Sequence, residues 1–370
     1  MGSYDIDALS ERMRGWFLEA DTDLKAFDKL INEDDEDLRL RSLFHLQQAA
    51  EKMGKAVVML YGIISCEVRE VIDEMEKEAR EAKSRLPKAL RELFEQIDRL
   101  CDLGKKAIED PEGFGRGLRH NLGEIRDMNN KLLDEIFKKP ERLKALASTI
   151  RGYLQASIPN ELLRQLAEQL ILKPLESVLE KLREPPRYGD YQCVREVVNH
   201  ITELDNSLNE TRNAARRIFT FRLFLRAFKR RIIKAVRCII HVKGLTNGLI
   251  TDVMRIYAGG GFLMLHVVQC LSNFEQKSRY CRAEGKECPP TNDEYLKYYR
   301  EIAKFLSDLE KSLNRLSKVS VGSQDNNRPF SIDAVIKATL SDPCISEIIK
   351  FIGTALPKNQ TTNPRSAAQP

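Results

Sequence analysis

No two of the eight cysteines form a CxxC pair, and no Cys/His cluster has zinc-site spacing, so a zinc ribbon or a dithiol redox motif is excluded. No apolar run is long enough for a membrane span; residues 259–271 fall short of the roughly 20 needed. The opening Met1-Gly2-Ser3-Tyr4-Asp5-Ile6 lacks the basic start and apolar stretch of a signal peptide, and no Ser or Thr stands at the sixth position for myristoylation. These absences predict a cytoplasmic protein with reduced thiols, no bound cofactor and no transmembrane segment. No strand-like alternation and no internal repeat is visible.

One local absence is more informative. From Thr211 to Thr251 there is no acidic residue, while eleven are Lys or Arg. The whole chain carries +5, so the remainder carries about −6 (+5 minus +11), and this asymmetry marks the segment as a candidate binding element.

What is present is helical patterning. The 370 residues are 42% apolar and 31% charged, enough for a sizeable core under a densely charged surface. Asp5 or Asp7 is placed to cap a first helix, whose apolar positions are Leu9, Met13, Trp16, Phe17, Ala20, Leu24, Phe27 and Ile31. Residues 32–37 read as a loop. A second helix is predicted over 38–64, with Leu43, Ala50, Met53, Val57 and Tyr61 on one side, and a separate charged helix over 67–85. Helices follow at 88–108, after an Asp110-Pro111 cap at 118–137, and at 141–156 and 160–183. A long helical region covers 191–242, as one helix or two. Gly259-Gly260-Gly261 interrupts the next segment, and Thr291 and Glu294 form a capping box for a helix reaching Lys318. Beyond it, residues 319–370 read as a polar linker, short helices near 331–340 and 345–355, and a disordered tail.

Several of these segments resemble the HEPN family. Trp16-Phe17-Leu18-Glu19-Ala20 with Asp23-Leu24-Lys25-Ala26-Phe27 resembles its opening helix. Phe44-His45-Leu46-Gln47-Gln48-Ala49-Ala50-Glu51-Lys52, followed by Lys55-Ala56, is similar to its second helix and is the most specific match. Leu118-Arg119-His120-Asn121-Leu122 looks like the third element, and Lys277-Ser278-Arg279-Tyr280 like the Ser-Arg-Tyr loop before the last helix. The resemblance implies an all-α, HEPN-like antiparallel helical bundle spanning 5–318. Segments 5–61, 113–137 and 255–318 match, and inserted helices occupy 65–111 and 139–250. It also implies a homodimer, and a minimal nucleotidyltransferase as partner in a toxin–antitoxin or antiviral module.

Three residue sets are candidates for chemistry. His45, Gln48, Lys52 and Lys55 share one stripe of the second helix and suit a phosphate, nucleotide or RNA backbone; the plainer reading is a solvated or intersubunit face with a Glu51–Lys55 pair. Many HEPN members are metal-independent ribonucleases in which an arginine precedes a histidine by four to six intervening residues, the imidazole moving protons and the guanidinium steadying the phosphorane. Arg195 and His200 fit with four between, and Arg39 and His45 with five, whereas Arg255 and His266 do not fit. Projected as one helix, Arg212, Arg216, Arg222, Arg226, Lys229, Arg230, Lys234 and Arg237 form a basic face opposite Ile218, Phe221, Phe224, Leu225, Phe228, Ile232, Val236 and Ile239. That face suits nucleic acid, RNA above all; the alternatives are neutralisation by the protein's own acidic helices and, with no spare apolar area in view, a membrane. The functional expectation is a non-catalytic or weakly catalytic module binding nucleic acid or nucleotide. An RNA-cleaving toxin and a purely structural interaction protein are the alternatives. Cys281 and Cys288 flank a short polar loop, either as free thiols or as a disulfide.

Overall fold

The computed structural model describes residues 6–81, 191–218, 221–245, 248, 251–272, 274–320 and 342–355, with isolated positions between 98 and 113. Every regular element among them is helical, so the described chain is all-α. In chain order the elements are α1 (Ile6–Leu30), α2 (Glu36–Glu81), α3 (Gln192–Ile218), α4 (Phe221–Ala227), α5 (Ile232–Leu245), α6 (Thr251–Met254), the π-helix π1 (Arg255–Leu263), α7 (Met264–Leu271), α8 (Phe274–Tyr280), α9 (Asp293–Ser320) and α10 (Pro343–Ala355). Apart from those isolated positions, the helices expected at 88–108, 118–137, 141–156, 160–183 and 331–340 lie outside the described residues, as do Asp5 and the linker and tail.

The three-and-four spacing of α1 puts Met13, Phe17, Ala20, Leu24, Phe27 and Ile31 in the core, where each is at most 5% exposed. They meet Leu43, Leu46, Ala50, Met53 and Val57 of α2. Asp35 caps α2: the N–H groups of Asp37 and Leu38 donate to its Oδ1 at 2.7 and 3.4 Å. Two helices were expected where α2 continues unbroken for 46 residues. Nothing between residues 65 and 81 is a glycine or proline, and its charges alternate in sign at helical spacing, so no signal ends the helix there.

α3, π1, α7, α8 and α9 close the bundle around this hairpin. Arg300 of α9 donates to Asn32 at the tip of the hairpin at 3.0 Å, and Tyr299, wholly buried, packs edge-on to Phe274. The segment Lys277-Ser278-Arg279-Tyr280 is the last part of α8 rather than a loop; Arg279 stacks 4.8 Å over the Phe44 ring of α2, and Ser278 donates to the Phe274 carbonyl. Asn292, not Thr291, caps α9, accepting from the Tyr295 N–H at 3.1 Å. Gly259 permits a close crossing, since a Cβ there would sit 3.1 Å from Leu204 and 3.2 Å from Phe305. Asp252, 2% exposed, accepts from Ser312 at 2.7 Å and from Arg315 at 2.6 Å, tying α6 to α9.

A second, smaller core is separate. Phe224, Ala227 and Phe228 of α4 and its following turn, Ala235, Cys238 and Val242 of α5, and Ile345 and Ile348 of α10 form their own cluster. Asp342 caps α10 ahead of Pro343, accepting from the N–H groups of Cys344 and Ile345.

Two expectations fail here. Residues 212–237 are not one helix: α3 ends at Ile218, α4 at Ala227, and Lys229 and Arg230 take left-handed φ values of 40° and 76°. The expected reduced thiols are instead paired at the six cysteines whose side chains are described, with disulfides joining Cys193 to Cys270, Cys238 to Cys344 and Cys281 to Cys288. Partners 77 and 106 residues apart are brought together by helix packing, which spacing in the sequence does not reveal.

Candidate functional site

The first set of sequence-predicted residues is brought together on the seam between α1 and α2. Asp23 of α1 accepts from Lys52 Nζ at 2.7 Å and contacts His45 Nδ1 at 2.9 Å, and Glu19 lies 3.4 Å from the same ammonium. Lys55 pairs with Glu51 at 3.3 Å and sits 4.6 Å over the Trp16 ring. Gln48 donates to Gln47, which donates to Glu51. Burial pulls the Lys52 ammonium down, but hydrogen bonds and charge from Asp23 and Glu19 outweigh it and leave the group above its ordinary value. Two ammonium groups here face three carboxylates, so an arriving phosphate must displace an acid already in place. The network's evident work is to lock one helix against the other.

Arg195 and His200 both belong to α3 but stand about 140° apart around it, as five residues at 100° each dictate. Arg195 is exposed. The His200 ring instead stacks on His266 of α7, 6.4 Å between centroids, with its Nδ1 buried, lacking a hydrogen bond and 3.9 Å from Glu203. His266 is 3% exposed. The stacking joins His200 to His266, the histidine whose spacing from Arg255 does not fit, a pairing that the sequence gives no reason to expect.

Sequence reasoning also missed a shallow cleft where π1 begins, lined by Asp205, Arg255, Glu301, Lys304, Phe305 and Asp308. The glycine triplet was the available signal, because a π-turn inside a helix often marks a functional position. The cleft is internally compensated: Arg255 pairs with Asp205 at 3.4 Å and Lys304 with Glu301 at 3.8 Å. Among the described residues, no group of three His, Cys, Asp or Glu side chains is placed to hold a metal ion.

The basic segment behaves differently. Of its eight predicted cations, Arg212 and Arg216 belong to α3, Arg222 and Arg226 to α4, Lys229 and Arg230 to the left-handed turn, and Lys234 and Arg237 to α5. Arg212 is half-buried and donates to Asn209 at 3.3 Å. Arg222, Arg226, Lys229, Arg230, Lys234 and Arg237 are all exposed, and Arg231 joins them. None of these seven pairs with a carboxylate among the described residues, whereas Lys25, Lys52, Lys55, Arg255, Arg282 and Arg315 of the bundle all do. Lys234 lies 5.2 Å over the Phe228 ring.

The break also changes which apolar residues face inward. Phe224 and Phe228 are buried as expected, but beyond the turn Ala235, Cys238 and Val242 take the inner positions. Ile232 and Val236, assigned to the buried face, are 57% and 39% exposed, alongside Ile233 at 72% and Ile240 at 67%. The chain matches no family model, no curated protein sequence and no solved structure.

Proposed function

We propose that this protein is a non-catalytic helical binding module, a HEPN-like bundle that presents the unit of α4, α5 and α10 to an anionic partner surface. One observation carries the reading: seven exposed cations stand on one small unit with no carboxylate partner among the described residues. Like charges so placed repel one another, and an anionic ligand relieves that repulsion. The α1–α2 stripe is left out of the binding surface because its own acids already neutralise it. The nucleotidyltransferase partner and the homodimer stay attached to the HEPN resemblance, as further proposals.

Heparin retention of the purified chain tests the reading. The wild type should need more salt for elution than an Arg222→Gln, Arg226→Gln, Arg230→Gln triple variant, because each cation that contacts the polyanion releases counterions. All three side chains are exposed, so the variant's helical circular dichroism should be unchanged. Equal elution of two folded proteins would remove the unit from the binding surface.

A further inference from the structure

Among the described residues, six large apolar side chains are exposed, and four of them lie on α5. Ile232, Val236, Ile240 and Ile233 fall within an arc of about 100° of that helix, so they form one continuous strip. The buried arc of Ala235, Cys238 and Val242 is already used against α4 and α10, which leaves the isoleucine strip as a second apolar face. Arg237 stands about 40° beyond the strip, with His241, which meets Asp342, and Lys234 further around, and the turn of Lys229, Arg230 and Arg231 precedes the helix's first residue.

We infer that the anionic partner is a lipid bilayer surface, with α5 lying in the headgroup plane and its isoleucine strip entering the acyl boundary. This deepens the anionic-surface reading above and rests on it. Phosphate oxygens of a nucleic acid satisfy the cations but give four bulky aliphatic side chains no apolar contact. A second copy of the chain covers the isoleucines but brings together two sets of cations that have no carboxylate partner among the described residues. A bilayer with anionic headgroups satisfies both at once, apolar strip inward and cations at headgroup level. The arrangement is peripheral, for no described helix is long and apolar enough to cross a membrane. The disulfide from Cys238 to Cys344 fastens α5 to α10, so the strip is presented by an already folded unit and little ordering is left for the moment of binding.

The test is co-sedimentation of the full chain with vesicles of phosphatidylcholine alone, and with about one-third phosphatidylserine added. Binding should appear with the anionic vesicles and fade as salt is raised. An Ile233→Ser, Ile240→Ser variant should weaken it by at least about tenfold, and an Arg230→Gln, Lys234→Gln variant comparably. Both variants alter exposed positions, and unchanged circular dichroism establishes that they fold. Undiminished vesicle binding by the serine variant overturns the inference, because binding would then be electrostatic alone. Retention of RNA without vesicle binding overturns it while leaving the anionic-surface reading intact. A wild-type dimer that the serine variant dissociates overturns it in favour of a second copy. Failure to bind vesicles, RNA and heparin alike overturns both readings.

Discussion

The bundle and the small unit of α4, α5 and α10 treat the same residue types in opposite ways. In the bundle, many cations are held by acids, Lys52 by Asp23, Arg315 by Asp252, Arg282 by Glu36 and Asp37, while others such as Arg279 and Arg300 rest on a ring or an amide. Its helices bury their apolar faces, so that Leu46, Met53, Tyr299 and Leu306 are fully enclosed. In the small unit the seven exposed Lys and Arg side chains have no carboxylate partner among the described residues, Asp342 meeting His241 instead, and α5 buries alanine and cysteine while showing isoleucine to solvent. A region selected only for stability has no use for that arrangement, since exposed aliphatics and crowded cations both cost free energy. The contrast separates a part that holds the shape from a part that meets something else.

The contrast breaks most decisively if the two cores do not melt apart. Phe27→Ala removes a fully buried ring from the bundle and should cost about 3–5 kcal/mol. Phe224→Ala removes an equally buried ring from the other core, and should loosen α4, α5 and α10 while leaving the main transition where it was. Hydrogen exchange resolved by segment distinguishes these results. Equal loss of protection in both cores from either substitution would show one cooperative unit.

Next in size is the covalent tie. Cys238 and Cys344 are 106 residues apart, and closing so long a loop in the unfolded chain is worth about 2–4 kcal/mol in typical cases. Cys344→Ser should therefore free α10 from α5 and expose α10 to limited proteolysis, with the bundle helices retained. The bundle's own tie, Cys193 to Cys270, makes the complementary test: Cys270→Ser should lower the main transition and leave α10 protected. An unchanged digestion pattern in Cys344→Ser would mean that Ile345 and Ile348 hold α10 without help.

How much of this was legible depends on what each feature needs. The α1–α2 core follows from periodicity, and Met13, Phe17, Ala20, Leu24, Phe27 and Ile31 are buried as their spacing predicts, because an uninterrupted helix keeps one phase. The basic segment shows the reverse. Its break falls on Lys229 and Arg230, residues that seldom adopt positive φ, with no glycine or proline to announce it. Once the chain turns there, the phase beyond is reset, and Ile232 and Val236 rotate from the expected inner face to the surface. Projected as one helix, the segment leaves no spare apolar area for a membrane; the reset phase supplies that area. Disulfide partners and the stacked pair of His200 and His266 depend on which helices become neighbours, and a single sequence does not state that.

The smallest effect expected is also the one that sets the two regions against each other by pH alone. Burial, reinforced by the charge of Glu287, pushes the Tyr191 hydroxyl up to about 12, and burial holds Tyr299 higher still. Lys52, despite its burial, is also raised, by Asp23 and Glu19. For each group the folded state binds its proton more tightly than the unfolded chain does. Its contribution to stability is therefore whole below the unfolded value, 10.0 for tyrosine and 10.5 for lysine, and is lost as pH rises through the folded value. All three groups belong to the bundle, and neither α4, α5 nor α10 contains a tyrosine. Between pH 10 and about 12 the bundle should thus lose stability while the small core holds, a difference readable from the denaturation midpoint and from segment-resolved proteolysis after brief exposure. Tyr191→Phe removes one titrating hydroxyl, whose contact with the Glu287 carbonyl is long at 3.4 Å, and should flatten the alkaline fall slightly with little change at pH 7. If the small core fails first in alkali, its stability depends on something other than the packing around Phe224 and Phe228, and the division between a shape-holding bundle and a partner-meeting unit has to be redrawn.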